Sequence, residues 1–302
     1  MGLIEKATGD LNDPLRDRDP AAEPAHAAPS LFDLDLAALA AQGFYTPDSR
    51  SGRLSLELRA VKRRLLRRMG LRAAGERKLA KRAGRNRNLV AVTSTRPGEG
   101  KTFCAVNLAL SLAFEEQIDV LLVDADLARP KLRSHFGLGD APGLTDRILD
   151  PSLAVSSLCW RARQAPLTIL PEGQATGRPV EIYASPEAQR AFVELSVRRQ
   201  NRIVIIDSPP VLATEEAALI AREADEVLFV VEADHTPEAA VSAALDELLD
   251  VNPNVSLILN RCLIGAGSNY YGSYDDYGRT RGVENKPDET AGGGRPAEGK
   301  SQ

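Results

Sequence analysis

Val92-Thr93-Ser94-Thr95-Arg96-Pro97-Gly98-Glu99-Gly100-Lys101-Thr102 is the stretch on which the reading of this chain turns. The apolar run before it, residues 89–92, reads as a buried strand, and a helical pattern runs on from it through residue 113. Strand, Gly-rich turn and helix, in that order, are the context in which a loop closing on Gly-Lys-Thr holds phosphate. Small residues let successive backbone N–H groups turn inward around phosphate oxygens, and the helix N-terminus adds a favourable dipole. Pro97, Gly98, Glu99, Gly100, Lys101, Thr102 and Phe103 are accordingly expected to bind nucleotide. Lys101 would reach the β- and γ-phosphates, and the Thr102 hydroxyl would ligate Mg²⁺. The common pattern GxxxxGK[ST] has Gly where this chain has Thr95. The plainer alternative is a Gly-rich turn that merely opens a helix; the flanking strand and helix, and the acids downstream, weigh against it.

Residues 120–123 form a second apolar run, closed by Asp124-Ala125-Asp126. Side chains two apart on a strand share a face, so both carboxylates can look toward the loop. Residues 203–206 form another such run and end in Asp207-Ser208-Pro209-Pro210. Mg²⁺ takes oxygen ligands and keeps several waters, so carboxylates at strand ends are its expected partners beside the Thr102 hydroxyl. A single acid at a strand end is commonly just solvated, but two strands with this ending, both downstream of the loop, favour the functional reading.

Further apolar runs occupy residues 167–170, 227–231 and 256–259, with helical patterns at 186–197, 214–222 and 237–249. Strands alternating with helices predict an α/β P-loop fold with a mostly parallel sheet covered by helices on both faces. Ligands in such sheets sit at the C-terminal ends of the strands. The expected organisation is a flexible arm over 1–50, with a short helix around residues 34–41, a basic helical segment over 51–88, the P-loop domain over 89–264 and a disordered tail over 265–302.

The composition narrows the class. The 302 residues are 43% hydrophobic and 26% charged, with a net charge of −4, which suits a soluble domain rather than one coating nucleic acid. Cys104, Cys159 and Cys262 form no CxxC pair and no Cys/His cluster, so a reducing compartment without structural zinc is expected. No run has the length of a membrane span and the start lacks an apolar signal core, so the expected location is the cytoplasm, with any membrane role supplied by a partner.

Taken together, the three motifs at residues 97–102, 120–126 and 203–209 resemble those of the bacterial tyrosine kinases (BY-kinases): a P-loop ending PxxGK[ST], a second motif of hydrophobics then DxD, and hydrophobics then DxP. The resemblance runs from about residue 50 to 277 and is nearest the exopolysaccharide tyrosine autokinases of exosortase loci. His135-Phe136-Gly137-Leu138, Pro142-Gly143-Leu144-Thr145-Asp146 and Glu232-Ala233-Asp234-His235-Thr236-Pro237 carry the same flavour. The resemblance implies Mg²⁺ and ATP as cofactors and Lys101, Asp124, Asp126 and Asp207 as catalytic residues. By the resemblance Asp124 would help deprotonate the attacking tyrosine, and Asp126 and Asp207, with Thr102, would organise Mg²⁺ directly or through water. Asn260, after the last apolar run, stands where related ATPases recognise adenine, although an Asn ending a strand is often only a turn residue. The family's DxDxR has Ala128 at its Arg position with Arg129 following, and its ExxRxxR assembly motif is out of register, with Glu57 one residue off.

Four of the six tyrosines, Tyr270, Tyr271, Tyr274 and Tyr277, crowd into eight residues of the Gly/Ser-rich tail. A sticky low-complexity tail is the bland reading; in the family such clusters are the autophosphorylation sites. Each phosphate would add roughly −1.5 to −2 charges at pH 7. The family also implies a homo-oligomer, a membrane chain-length determinant (polysaccharide co-polymerase) protein as activator, and a cognate tyrosine phosphatase. Residues 59–87 hold thirteen Lys or Arg and one acid. They read either as a solvated helix whose long side chains cover an apolar stripe, or as a docking surface for anionic lipid or an acidic partner loop. No aromatic platform is interleaved, so nucleic acid is not expected. Two other functions compete: a partitioning-type ATPase switch, disfavoured by Arg96-Pro97 where a signature Lys-Gly belongs, and a nucleotide-binding scaffold without kinase activity.

Overall fold

A computed structural model describes residues 28–49, 52–70, 81–82, 85–175, 177–197 and 201–262. The chain opens with strand β1 (Ser30–Phe32), helix α1 (Leu36–Ala41), a 3₁₀ turn (Pro47–Ser49) and the long helix α2 (Arg53–Arg68). A two-residue pair, β2 (Lys81–Arg82) and β3 (Arg85–Asn86), precedes β4 (Leu89–Ser94), which leads through the Gly-rich turn into α3 (Lys101–Glu116). Then follow β5 (Asp119–Asp124), α4 (Leu132–Phe136), α5 (Leu144–Leu149), α6 (Val155–Leu158), β6 (Trp160–Ala162) and β7 (Leu167–Leu170). The last third holds α7 (Pro179–Ala184), α8 (Pro186–Val197), β8 (Arg202–Asp207), α9 (Glu216–Glu223), β9 (Glu226–Glu232), α10 (Glu238–Val251) and β10 (Val255–Asn260).

Eight strands form one sheet in the order β1-β6-β7-β5-β8-β4-β9-β10, parallel throughout except where β6 meets β7. The central strands are apolar on both sides because both sides are covered. Alternate residues Val90, Val92, Val120, Leu122, Ile203 and Ile205 enter one core with α2 and α3. Their neighbours Leu89, Ala91, Leu121, Val123, Val204 and Ile206 enter a second core with α5 and α7 to α10. This is the sandwich that continuous apolar strands dictate. Among the described residues, no helix is long and apolar enough to cross a membrane.

The short helix expected around residues 34–41 is α1, and ordered structure extends to either side of it. The arm expected over 1–50 gives way to ordered structure by residue 30. β1 pairs in parallel with β6, Ser30 against Trp160 and Phe32 against Ala162. Behind it Phe32, Leu34, Leu39, Phe44 and Tyr45 are buried in the first core. The physical reason is that three residues carry too little periodicity to read as a strand alone; an existing sheet edge and a shelf of aromatic contacts supply what the local sequence lacks. Phe44 stacks on Phe103 of α3 at 5.5 Å and meets the edge of His135 of α4 at 5.0 Å. The Tyr45 N–H donates to Asn107 Oδ1 of α3 at 2.6 Å.

The basic helix α2 also packs inward. Ser55, Leu58, Lys62 and Leu65 form its buried stripe. Lys62, 1% exposed, places Nζ 2.7 Å from Glu115 Oε2 at the end of α3, and the Ser55 hydroxyl donates to Glu115 Oε1. Burial works to raise the Glu115 pKa, but hydrogen bonds from Lys62, Tyr45 and Ser55 and the Lys62 charge overcome it and hold the carboxyl below its ordinary value. At the far end Arg68 pairs with Glu226 of β9 at 2.7 Å. Part of the basic segment therefore fastens α2 to the domain, leaving Arg63, Arg64 and Arg67 on the outer face. The expected tail over 265–302 lies outside the described residues.

Candidate nucleotide-binding site

Three adjacent strands end together and carry the chemistry. β8 lies between β5 and β4, with Asp207 in register with Asp124 on one side and with Val92 on the other. The exits are sewn to each other. The Ser208 N–H and hydroxyl both donate to the Val92 carbonyl at 3.0 Å, the Thr93 hydroxyl donates to the Pro209 carbonyl at 2.7 Å, and the Ala125 N–H donates to the Asp207 carbonyl at 2.8 Å. The Val211 N–H reaches the Ser94 carbonyl at 2.8 Å.

The loop between β4 and α3 turns through two left-handed glycines, Gly98 (φ +94°) and Gly100 (φ +96°). Gly100 meets a second constraint: a Cβ there would stand 2.1 Å from Asn260 Nδ2. Thr95, in the place usually given to Gly, is fully buried, and its carbonyl accepts from the Leu212 N–H at 3.2 Å.

Lys101, first residue of α3, places Nζ 2.6 Å from Asp126 Oδ2, both side chains nearly buried. Burial alone would lower the Lys101 pKa, but Asp207, Asp126 and Asp124 outweigh it and hold the ammonium above its ordinary value. Asp126 Oδ1 accepts from the Arg129 N–H at 3.1 Å. Asp124 faces the loop that follows: Oδ2 accepts from the N–H groups of Lys131 and Leu132 at 2.9 and 3.0 Å, and Oδ1 from the Asp126 N–H at 3.3 Å. Even so, burial and the neighbouring Asp207 push its carboxyl up. Asp207 is pushed up by burial too, against the pull of Lys101 and the nearby Thr102 hydroxyl. The Thr102 side chain is close enough to help hold that charge, yet neither carboxylate oxygen of Asp207 has a hydrogen bond of sound geometry, and both are fully buried.

The structure thus brings Lys101, Thr102, Asp124, Asp126 and Asp207 into one cluster. Asn260 comes to the same loop, but its side-chain amide donates to the Glu99 carbonyl at 2.9 Å, so it sits on the P-loop itself. The Phe103 side chain turns away to stack on Phe44, leaving only its backbone for a ligand. Tyr270, Tyr271, Tyr274 and Tyr277 lie outside the described residues. Sequence reasoning missed Tyr183, buried on α7, whose hydroxyl donates to the Ala125 carbonyl at 3.0 Å between the two acids. Its pKa stands well above the ordinary value through burial, then Asp124, Glu216 and Asp126. Nothing in the local sequence marks it, because α7 is placed by the fold.

A glycine loop ahead of a helix, a lysine at its start and acids ending the two neighbouring strands define a P-loop nucleotide-binding domain. No family model matches the chain. It is 32% identical over 199 residues to EpsB of Ralstonia nicotianae, covering 65% of this chain but 26% of that protein, so it spans about a quarter of the first curated relatives it matches. It is 29% identical over 191 residues to the tyrosine-protein kinase YwqD of Bacillus subtilis, covering 62% of this chain and 79% of that one. The VpsO kinase domain superposes with a TM-score of 0.57 at 27% identity, over 72% of this chain and all of that one. The relatives are named tyrosine-protein kinases and the structural neighbour is a kinase domain, and it is to these that the P-loop domain of this chain is similar.

Proposed function

We propose that this chain is an ATP-dependent protein-tyrosine kinase that phosphorylates its own C-terminal tyrosine cluster and so regulates exopolysaccharide synthesis or export. The observation that carries the reading is the buried cluster of one lysine and three strand-end carboxylates at the mouth of a P-loop. Phosphoryl transfer asks the protein for positioning and charge stabilisation more than for covalent chemistry. Relatives named as tyrosine-protein kinases and the four clustered tail tyrosines point the same way.

The donor set fits a hard dication. Asp207 offers two buried carboxylate oxygens that lack a hydrogen bond of sound geometry, with the Thr102 hydroxyl close by. Thr102, Asp126 and Asp207 would hold Mg²⁺, directly or through water; bound there, it neutralises charge on the transferring phosphate. Lys101 exchanges Asp126 for the β- and γ-phosphates. Asp124, whose raised pKa suits a base working near neutrality, takes the proton of the tyrosine hydroxyl. Backbone N–H groups from residues 98–103 cradle the phosphates, with Pro97 shaping the turn, and Asn260 borders the base. The family's partners extend the proposal: a homo-oligomer in which tails meet neighbouring sites, a membrane chain-length determinant protein as activator that recruits the kinase to the membrane, and a cognate phosphatase.

The test is to incubate the purified chain with Mg-ATP beside a Lys101→Ala control and map phosphosites by mass spectrometry. Phosphate on Tyr270, Tyr271, Tyr274 or Tyr277 that vanishes in the control supports the kinase. ATP hydrolysis without phosphotyrosine, persisting after the activator's cytoplasmic segment is added, refutes it.

A further inference from the structure

Glu99 is the one acid inside the phosphate loop, and a carboxylate there opposes the anion the loop is built to hold. It is 4% exposed, and both of its oxygens are engaged. Oε2 accepts from the Arg96 N–H across the turn at 3.0 Å. Oε1 accepts from the Thr236 hydroxyl at 2.7 Å, across 137 residues of sequence. The Glu99 carbonyl accepts from Asn260 Nδ2. The turn that presents Thr236 is itself pinned. The Ala233 N–H donates to the Asn260 carbonyl at 2.9 Å and the Thr236 N–H to the Glu232 carbonyl at 3.2 Å, while Asp234 is held in the left-handed region at φ +59°. Aspartate takes up that conformation readily as a single turn residue, so the turn closes tightly after β9. Three segments, the P-loop, the turn after β9 and the end of β10, therefore meet at one glutamate.

We infer that Thr236 is a positioning residue for nucleotide: acting through Glu99, it draws the carboxylate aside and fixes the curvature of the P-loop that receives the phosphates. The inference rests on the nucleotide-binding reading above. The loop's own glycines do not fix that curvature, because glycine is permissive. The glutamate bridge does, tying the Arg96 N–H at the start of the turn to a rigid strand exit. Thr236→Val keeps the shape and removes the donor, leaving a half-buried hydroxyl site apolar and Glu99 Oε1 without its partner. Losing a hydrogen bond to a charged group on that scale should weaken nucleotide about tenfold.

The experiment titrates the full chain and its Thr236→Val and Thr236→Ser variants with a fluorescent ADP analogue in Mg²⁺, and follows KM for ATP and kcat for phosphotyrosine formation. Thr236→Val should raise Kd and KM about tenfold, with a smaller change in kcat, and Thr236→Ser should restore both. A merely structural role would instead lower the melting temperature and reduce kcat without a selective change in KM, which overturns the inference. So does a Thr236→Val variant that binds as tightly as wild type. A wild-type chain that binds no nucleotide refutes the nucleotide reading itself, and this inference falls with it.

Discussion

Lys101 Nζ stands 2.6 Å from Asp126 Oδ2, an ion pair taken almost wholly out of water. Breaking a buried pair by removing one partner leaves an uncompensated charge, which commonly costs about 3–5 kcal/mol. Lys101→Met should therefore lower stability by about 3 kcal/mol near neutral pH, besides abolishing nucleotide binding. Urea unfolding without nucleotide checks it; a loss below about 1 kcal/mol would mean the pair is solvated in solution.

Asp207 and Asp124 make stability fall with rising pH. Their carboxyls are pushed up to about 6 and about 8, above the ordinary value of 3.8. A raised folded-state pKa means that the folded chain binds its proton more tightly than the unfolded one, so each contributes stability at low pH that is lost as pH climbs through the shifted value. Glu115, held low, works in the opposite sense. The difference between Asp207→Asn and wild type isolates Asp207: the variant should gain relative stability between about pH 4 and pH 6 and hold that gain above. Unfolding midpoints across that range would show it, and a variant parallel to wild type would contradict it.

Gly100→Ala should fail for two separable reasons. The backbone sits at φ +96°, and a Cβ would lie 2.1 Å from Asn260 Nδ2. We expect at least a tenfold loss of nucleotide affinity, with about 1–3 kcal/mol of strain. Adding Asn260→Ala removes the contact but not the dihedral, so recovery in the double variant should be partial. Full recovery would mean that the dihedral is harmless.

Lys62 and Glu115 form a second buried pair, this one binding α2 to α3. Lys62→Met alone should cost about 3 kcal/mol, whereas Lys62→Met with Glu115→Leu should recover most of it. Equal losses in single and double variants would show the apolar stripe, not the pair, to be what holds α2.

Phe44→Ala removes the ring that stacks on Phe103 and meets His135. Truncating a buried aromatic of this kind costs roughly 3 kcal/mol. Denaturant unfolding measures the loss, and a value near zero would place the 30–49 segment off the domain in solution.

The central strands were legible because each buried strand is a short continuous apolar run, and the runs at 89–92, 120–123, 203–206 and 227–231 all fall inside strands of the sheet, although their order in it was not. The site's acids were legible for the same reason: a carboxylate that closes so apolar a run stands where the buried strand must meet water or a cation. What stayed hidden is what the fold supplies from a distance. Ser30–Phe32 is a strand only because Trp160–Ala162 offers an edge. Tyr183 reaches Ala125 only because α7 crosses the end of β5. Asn260 was legible as a residue near the loop, but not the Glu99 carbonyl that occupies its amide.

The pairing of Ser30–Phe32 with Trp160–Ala162 fixes an order of events during synthesis. Strand β1 has no partner in the sheet until some 130 further residues have emerged, since Ser30 pairs with Trp160. Long-range pairing of this kind is slow, and chains exposed in the meantime are prone to association.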